Sequence, residues 1–160
     1  YHRQNGFSLR ATRSAVKKAP HMYEGTITIR LAADIKEIEH LNRLVRQFGE
    51  LHDVPSRTLY AVNLALDELV TNVVLYGFEN PEGQEVLIHI TAASGGIEAS
   101  VSDTGREFNP LNVPLPNLSA KLSERELGGL GIHLVRSLMD HVSYERIDGK
   151  NVLTVRKRIR

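Results

Sequence analysis

Glu68 and Asn72 stand four residues apart in a run whose apolar positions, Leu59, Val62, Leu66, Leu69 and Val73, recur at helical spacing. Their side chains therefore leave one face of a helix about one turn apart. A carboxylate and an amide oxygen so placed offer magnesium a hard oxygen ligand and leave the acid to polarise a nucleophile. The same pair also suits a plain solvent-facing surface. Asp103, in Asp103-Thr104-Gly105, follows a strand-like stretch from Ile97 to Val101. Under a two-residue period it shares the face of Ile97, Ala99 and Val101. An acid there needs a donor, because burying it unpaired costs several kcal/mol. An adenine amino group is one such donor, and Gly105 removes a side chain where a flat base must approach. A turn aspartate beside its glycine is the alternative. Gly128-Gly129-Leu130-Gly131 precedes a helical stretch, where glycines let backbone N–H groups and the helix dipole converge on phosphate. A hinge is the plainer use of such glycines. The loop is no Walker pattern, since no Gly-Lys-Ser/Thr follows, and no dinucleotide fingerprint, since no strand leads directly into it.

These residues need elements to hold them. Thr26 to Leu31 alternate as a half-buried strand does. Asp34 reads as a helix cap with Glu37 as its capping-box partner. Ile35, Ile38, Leu41, Leu44, Phe48 and Leu51 then follow on one helical stripe. Pro55 opens the second helix, which runs to Gly77. Val86 to Ile90 and Ile97 to Val101 form a hairpin around Ser94, Gly95 and Gly96. Residues 104–129 are rich in Pro, Asn and Gly and read as a lid. A helix from about Leu130 to Met139 and strands from about Val142 to Ile147 and Val152 to Ile159 complete the order. The charges of Arg156, Lys157, Arg158 and Arg160 fit a strand edge that discourages aggregation.

Composition narrows the chemistry. The 160 residues are 41% hydrophobic and 24% charged, the balance of one globular domain. We expect residues 1–24 to be a basic extension and residues 25–160 the domain, with Met22 a candidate natural start. No stretch is read as a membrane span or a leader, which points to the cytoplasm. The sequence has no cysteine, which excludes disulfides, thiolate nucleophiles and cysteine-ligated metals within it. Five basic residues (Arg3, Arg10, Arg13, Lys17 and Lys18) and no acid fall within residues 1–21, so elsewhere 15 bases meet 19 acids. Direct nucleic-acid binding would rest on that tail alone and is not expected. The seven histidines show no metal-ligand spacing. His40 lacks the two-helix hairpin that presents a phosphoacceptor histidine, and His133 near the glycine loop is read as structural.

The order of the three signals is more telling than any one of them. Leu66-Asp67-Glu68-Leu69-Val70-Thr71-Asn72, then Asp103-Thr104-Gly105-Arg106-Glu107-Phe108-Asn109-Pro110, then Gly128-Gly129-Leu130-Gly131-Ile132 resembles the ATPase superfamily of gyrase, MutL and histidine kinases. Within it the chain looks most like the anti-sigma-factor serine kinases, over about residues 25–159. The resemblance implies an α+β fold, a two-layer α/β sandwich with a mixed, mostly antiparallel sheet covered on one face by helices. It implies ATP and magnesium as cofactors. Asn72 would hold the metal and Asp103 would read adenine. Gly105, Phe108, Gly128, Gly129, Leu130, Gly131 and Ile132 would shape the nucleotide site. Glu68 matches the proposed general base, acting on a serine hydroxyl of an anti-anti-sigma antagonist. A sigma factor and a second copy in a homodimer are the other implied partners. Glu107 departs from the small residue or proline often found in the second box. Two other functions remain open at this point: a nucleotide-dependent binding module without phosphotransfer, and the catalytic domain of a sensor histidine kinase.

Overall fold

A computed structural model describes residues 24–114 and 130–159. The expected extension, but for Glu24, and most of the expected lid lie outside the described residues, as do Gly128, Gly129 and Arg160. Five strands form one sheet: β1 (Gly25–Ala32), β2 (Glu85–Ala93), β3 (Gly96–Asp103), β4 (His141–Ile147) and β5 (Lys150–Arg158), in the order β1-β2-β3-β5-β4. Three helices, α1 (Glu37–Leu51), α2 (Ser56–Asn72) and α3 (Leu130–Leu138), cover it. The two-layer α+β sandwich is therefore present. The sheet expected to be mixed has only antiparallel pairs among the described residues. The crossover from β3 through α3 leaves β4 parallel to β3. A tight turn then folds β5 back between the two, so the parallel strands never touch. That turn is Asp148-Gly149, with φ of 49° and 76°, the two positive values that a type I′ hairpin turn requires.

Alternation decides which face is buried. In β3, Ile97, Ala99, Val101 and Asp103 point inward, and in β2, Val86, Ile88, Ile90 and Ala92 do the same. Against them lie Leu41, Val45 and Phe48 of α1 and Ala61, Val62, Ala65, Leu66, Leu69 and Val70 of α2. Full burial of each larger aliphatic side chain contributes roughly 1.5–3 kcal/mol. Over Ser56–Gly77 this helix and its last turn are long and apolar enough to cross a membrane. Most of its apolar residues, though not Tyr60, Leu75 or Tyr76, are instead packed among α1, α3 and the sheet, the place of a core helix.

Two local expectations are corrected. The Asp34 side chain accepts from the Lys36 backbone N–H at 2.9 Å, and no side chain caps α1, which starts only at Glu37. An Asx turn has taken the oxygen that a capping box would have used. The basic end of β5 is not a bare edge, since β5 lies between β3 and β4. There Arg156 pairs with Glu98, and Lys157 reaches Asp140 at 3.8 Å.

Between α1 and α2 lies a small polar cluster. Asn63 donates to Asn42, and Asn42 donates to Asp67 at 3.2 Å. The Asn63 side-chain oxygen and the second Asp67 carboxylate oxygen are buried without a donor. Desolvation pushes the Asp67 carboxyl above its ordinary pKa, the Asn42 hydrogen bond opposes the shift, and the Glu68 carboxylate adds to it. A raised carboxyl pKa means that the folded state holds its proton better than the unfolded state does. Asp67 thus favours folding most at acid pH and loses that contribution as pH rises through its folded pKa. Asp67→Asn keeps the shape and does not titrate. The melting temperature of this variant should exceed wild type by a margin that grows from about pH 4 to about pH 7. A margin that shrinks over that range, followed by circular dichroism, would show that Asp67 is not held toward its neutral form.

Candidate active site

The polar face of α2 opens onto a cavity of about 430 Å³. This is the size range of small-ligand sites, roughly 300–1,000 Å³. Glu68, Asn72, Asp103, Phe108, Gly131 and Ile132, all singled out from the sequence, line it. Leu130 opens α3 with its side chain mostly exposed, outside the lining.

After Asn72 the helix widens into one π turn, Val73–Gly77, a local departure common at functional sites. This turn carries Gly77 to the loop after β3. The Arg106 N–H donates to the Gly77 carbonyl at 2.9 Å. A Cβ on Gly105 would stand 2.4 Å from that carbonyl oxygen and 2.8 Å from Asp103 Oδ1. Gly105 is therefore required where α2 and the β3 loop close on each other, beside the cavity rather than lining it. At the other wall a Cβ on Gly131 would lie 2.3 Å from Glu68 Oε2. The absence of a side chain at Gly131 lets α3 settle onto the Glu68 carboxylate. This sets Glu68 at the end of α3 where a helix N-terminus attracts phosphate.

Asp103 is only 6% exposed. Its Oδ1 accepts from the Gly105 N–H at 2.8 Å and from Asn151 Nδ2 at 2.9 Å. Both bonds fall on one oxygen, so Oδ2 is the acceptor left for a ligand. Asn151 went unnoticed in the sequence, as did Tyr144 and Leu153 in the lining, while Arg106 was quoted only as part of its motif. The signal for Asn151 was its parity with Leu153 and Val155, the inward residues of β5, but the strand was read as beginning one residue later. His133 lies on α3 outside the cavity lining, its Nδ1 buried without a partner.

The oxygen set tests the fit for a metal. Among the described residues no three His, Cys, Asp or Glu side chains cluster as an all-protein metal cage. What the cavity offers is the Asn72 amide and the Glu68 carboxylate on neighbouring turns. That sparse oxygen set suits magnesium, which keeps several waters and takes most other ligands from substrate phosphates.

Residues 31–157 match the family model of the histidine kinase-like ATPase domain. The serine/threonine-protein kinase BtrW of Bordetella bronchiseptica is 32% identical over 102 residues, which span 62% of this chain and 70% of that protein. An anti-sigma F factor of Clostridium kluyveri is 25% identical over 140 residues, 86% of this chain and 96% of its own length. Among solved structures the fold is similar to part of the chain solved as the RsbU and RsbW domains of Rv1364c from Mycobacterium tuberculosis, with a TM-score of 0.61 at 18% identity. That match covers 84% of this chain and 32% of the larger one.

Gly105→Ala tests how tightly the cavity floor is closed. Forcing a methyl against the Gly77 carbonyl should cost about 1–3 kcal/mol of stability, the scale of overpacking. It should also weaken ATP binding at least tenfold by displacing Asp103. Thermal denaturation and nucleotide titration both at wild-type values would mean that the loop yields without strain.

Proposed function

The chain belongs to the histidine kinase-like ATPase family, in its branch of anti-sigma-factor serine kinases, and from that premise we propose that it is an ATP-dependent protein serine kinase of a partner switch. In this reading it binds a sigma factor and phosphorylates a serine of the antagonist protein that competes for it. The observation that carries the reading is that one cavity has Glu68 and Asn72 on its helix wall and Asp103 on its β3 wall. The helix wall suits the triphosphate and its metal, and the β3 wall suits adenine.

Each side chain then has a task. Asp103 Oδ2 accepts from the adenine amino group, whereas the guanine carbonyl oxygen would meet it as a second acceptor. Phe108, Ile132 and Leu153 supply apolar surface around the nucleotide. Asn72 holds magnesium through its amide oxygen. The metal, when bound, neutralises charge developing on the transferred phosphoryl group. Glu68 orients the incoming serine hydroxyl for in-line attack on the γ-phosphorus and takes its proton as the oxygen–phosphorus bond forms. ADP leaves, and phosphoserine remains on the antagonist. Gly128, Gly129 and Gly131, with Leu130 at the start of α3, contribute to phosphate binding in this reading. The same reading carries a homodimer and the cytoplasm, where ATP and sigma factors meet.

Glu68→Gln keeps the shape of the side chain and removes its basicity. ATP affinity should stay within a few-fold of wild type while phosphotransfer to the antagonist falls by roughly 10² to 10⁴. Single-turnover transfer from radiolabelled ATP reads the chemistry, and calorimetry reads the binding. A variant that transfers at the wild-type rate removes Glu68 as the base. If wild type binds its partners only with ATP and never phosphorylates an antagonist, the protein is a nucleotide-shaped binding module.

Asn72→Ala should erase the dependence of nucleotide affinity on magnesium, because a methyl group cannot replace an oxygen ligand. Titrations of this variant with and without magnesium should coincide. A persistent magnesium enhancement would place the metal on other atoms.

A further inference from the structure

Asp103, Asn151 and Arg146 stand in one row across three adjacent strands. Asp103 of β3 is the register partner of Asn151 in β5, and Asn151 is in turn the partner of Arg146 in β4. Residues directly opposite in antiparallel strands project from the same face, so the three side chains follow one another toward the cavity floor. The Asp148-Gly149 turn fixes that register, since a one-residue slip would turn each β4 side chain to the other face.

The amide of Asn151 is fully engaged. Its Nδ2 donates to Asp103 Oδ1 and to the Arg106 carbonyl, both at 2.9 Å. Its Oδ1 accepts from the Arg146 guanidinium at 2.7 Å and the Tyr144 hydroxyl at 2.8 Å. Arg146 also donates to the Gly105 carbonyl at 3.0 Å. A guanidinium carries donors only. Were the amide turned over, its N–H₂ group would face the guanidinium, and its oxygen would face the Asp103 carboxylate and the Arg106 carbonyl. Arg146 at one end, with the Asp103 carboxylate and the Arg106 carbonyl at the other, therefore fixes which end of Asn151 meets Asp103. Arg146 and Asn151 together hold the chain just after Asp103, through the Gly105 and Arg106 carbonyls.

We propose that Asn151 is a positioning residue for base recognition, oriented by Arg146 and Tyr144, so that preference for ATP over GTP depends on the β4–β5 hairpin as well as on Asp103. The inference rests on the reading of Asp103 as the adenine acceptor. With Oδ1 taken by Gly105 and Asn151, the carboxylate cannot rotate, and Oδ2 is presented to the base as an acceptor in a fixed direction. Without the Asn151 donor only the Gly105 N–H remains on Oδ1, the carboxylate is held less firmly, and its discrimination between an amino group and a carbonyl falls.

Arg146 is exposed, so replacing it leaves the core intact. The whole chain, with Arg146→Met, Arg146→Lys, Tyr144→Phe or Asp103→Asn, is titrated with Mg·ATP and Mg·GTP, and the ratio of the two affinities is read. A general loss of folded protein or of phosphate binding cancels in that ratio. Asp103→Asn should abolish the preference for ATP. Arg146→Met should lower the ratio about tenfold, the scale of one lost charge-assisted hydrogen bond. Arg146→Lys should recover most of it, because an ammonium still donates to Asn151, and Tyr144→Phe should have a smaller effect than Arg146→Met. A wild-type ratio in Arg146→Met, alongside a lost preference in Asp103→Asn, overturns the inference and leaves the adenine role of Asp103 standing. An unchanged ratio in Asp103→Asn overturns that role as well.

Discussion

The Asp103 carboxylate lies on the buried side of the sheet, where leaving it without donors would cost several kcal/mol. The surrounding structure supplies those donors from two directions, the Gly105 N–H just beyond β3 and the Asn151 amide in β5. Much else at the cavity floor follows from this requirement. Gly105 must curl back toward Asp103, which brings it against the Gly77 carbonyl and excludes a side chain there. Gly77 in turn ends the π turn that continues α2. The helix bearing Glu68 and Asn72 and the strand bearing Asp103 are thus tied at one point, and the two walls of the cavity are held at a fixed spacing.

The α2 helix serves the core and the site at once. Leu66, Leu69 and Val70 are buried against the sheet, while Glu68 and Asn72, on the flank of the same helix, reach the cavity. Any shift of α2 that repacked the core would move the proposed base and metal ligand together. Close-packed interiors resist such shifts, since gaps of even one methylene are felt. The other flank is less well satisfied. Asp67 and Asn63 keep buried oxygens without donors next to the residue proposed to do the chemistry. Incomplete polar satisfaction beside a reacting group is common where stability gives way to function.

Much of this was legible in the residues, for identifiable reasons. Helical spacing placed Glu68 and Asn72 on one face, and two-residue alternation placed Asp103 inward. Both are consequences of backbone periodicity, and the structure reproduces them. The antiparallel course of every strand pair was harder to read, because it depends on the β5 strand entering between β3 and β4, a long-range event that local pattern does not encode. The cap of α1 was misassigned because an Asx turn and a capping box share the same residues until geometry separates them. Asn151 was missed at a strand start, where one residue of uncertainty changes whether a side chain counts as inward or as loop. Its partners Arg146 and Tyr144 owe their role to strand register, which no single stretch of sequence states.

The most direct measurement is a crystal structure of the chain bound to magnesium and a non-hydrolysable ATP analogue. The account predicts the adenine amino nitrogen at about 3 Å from Asp103 Oδ2, the usual hydrogen-bond distance. It also predicts magnesium on the Asn72 amide oxygen and the γ-phosphate directed toward Glu68. A nucleotide seated in this cavity with its base turned away from Asp103, or seated elsewhere on the molecule, would contradict the account.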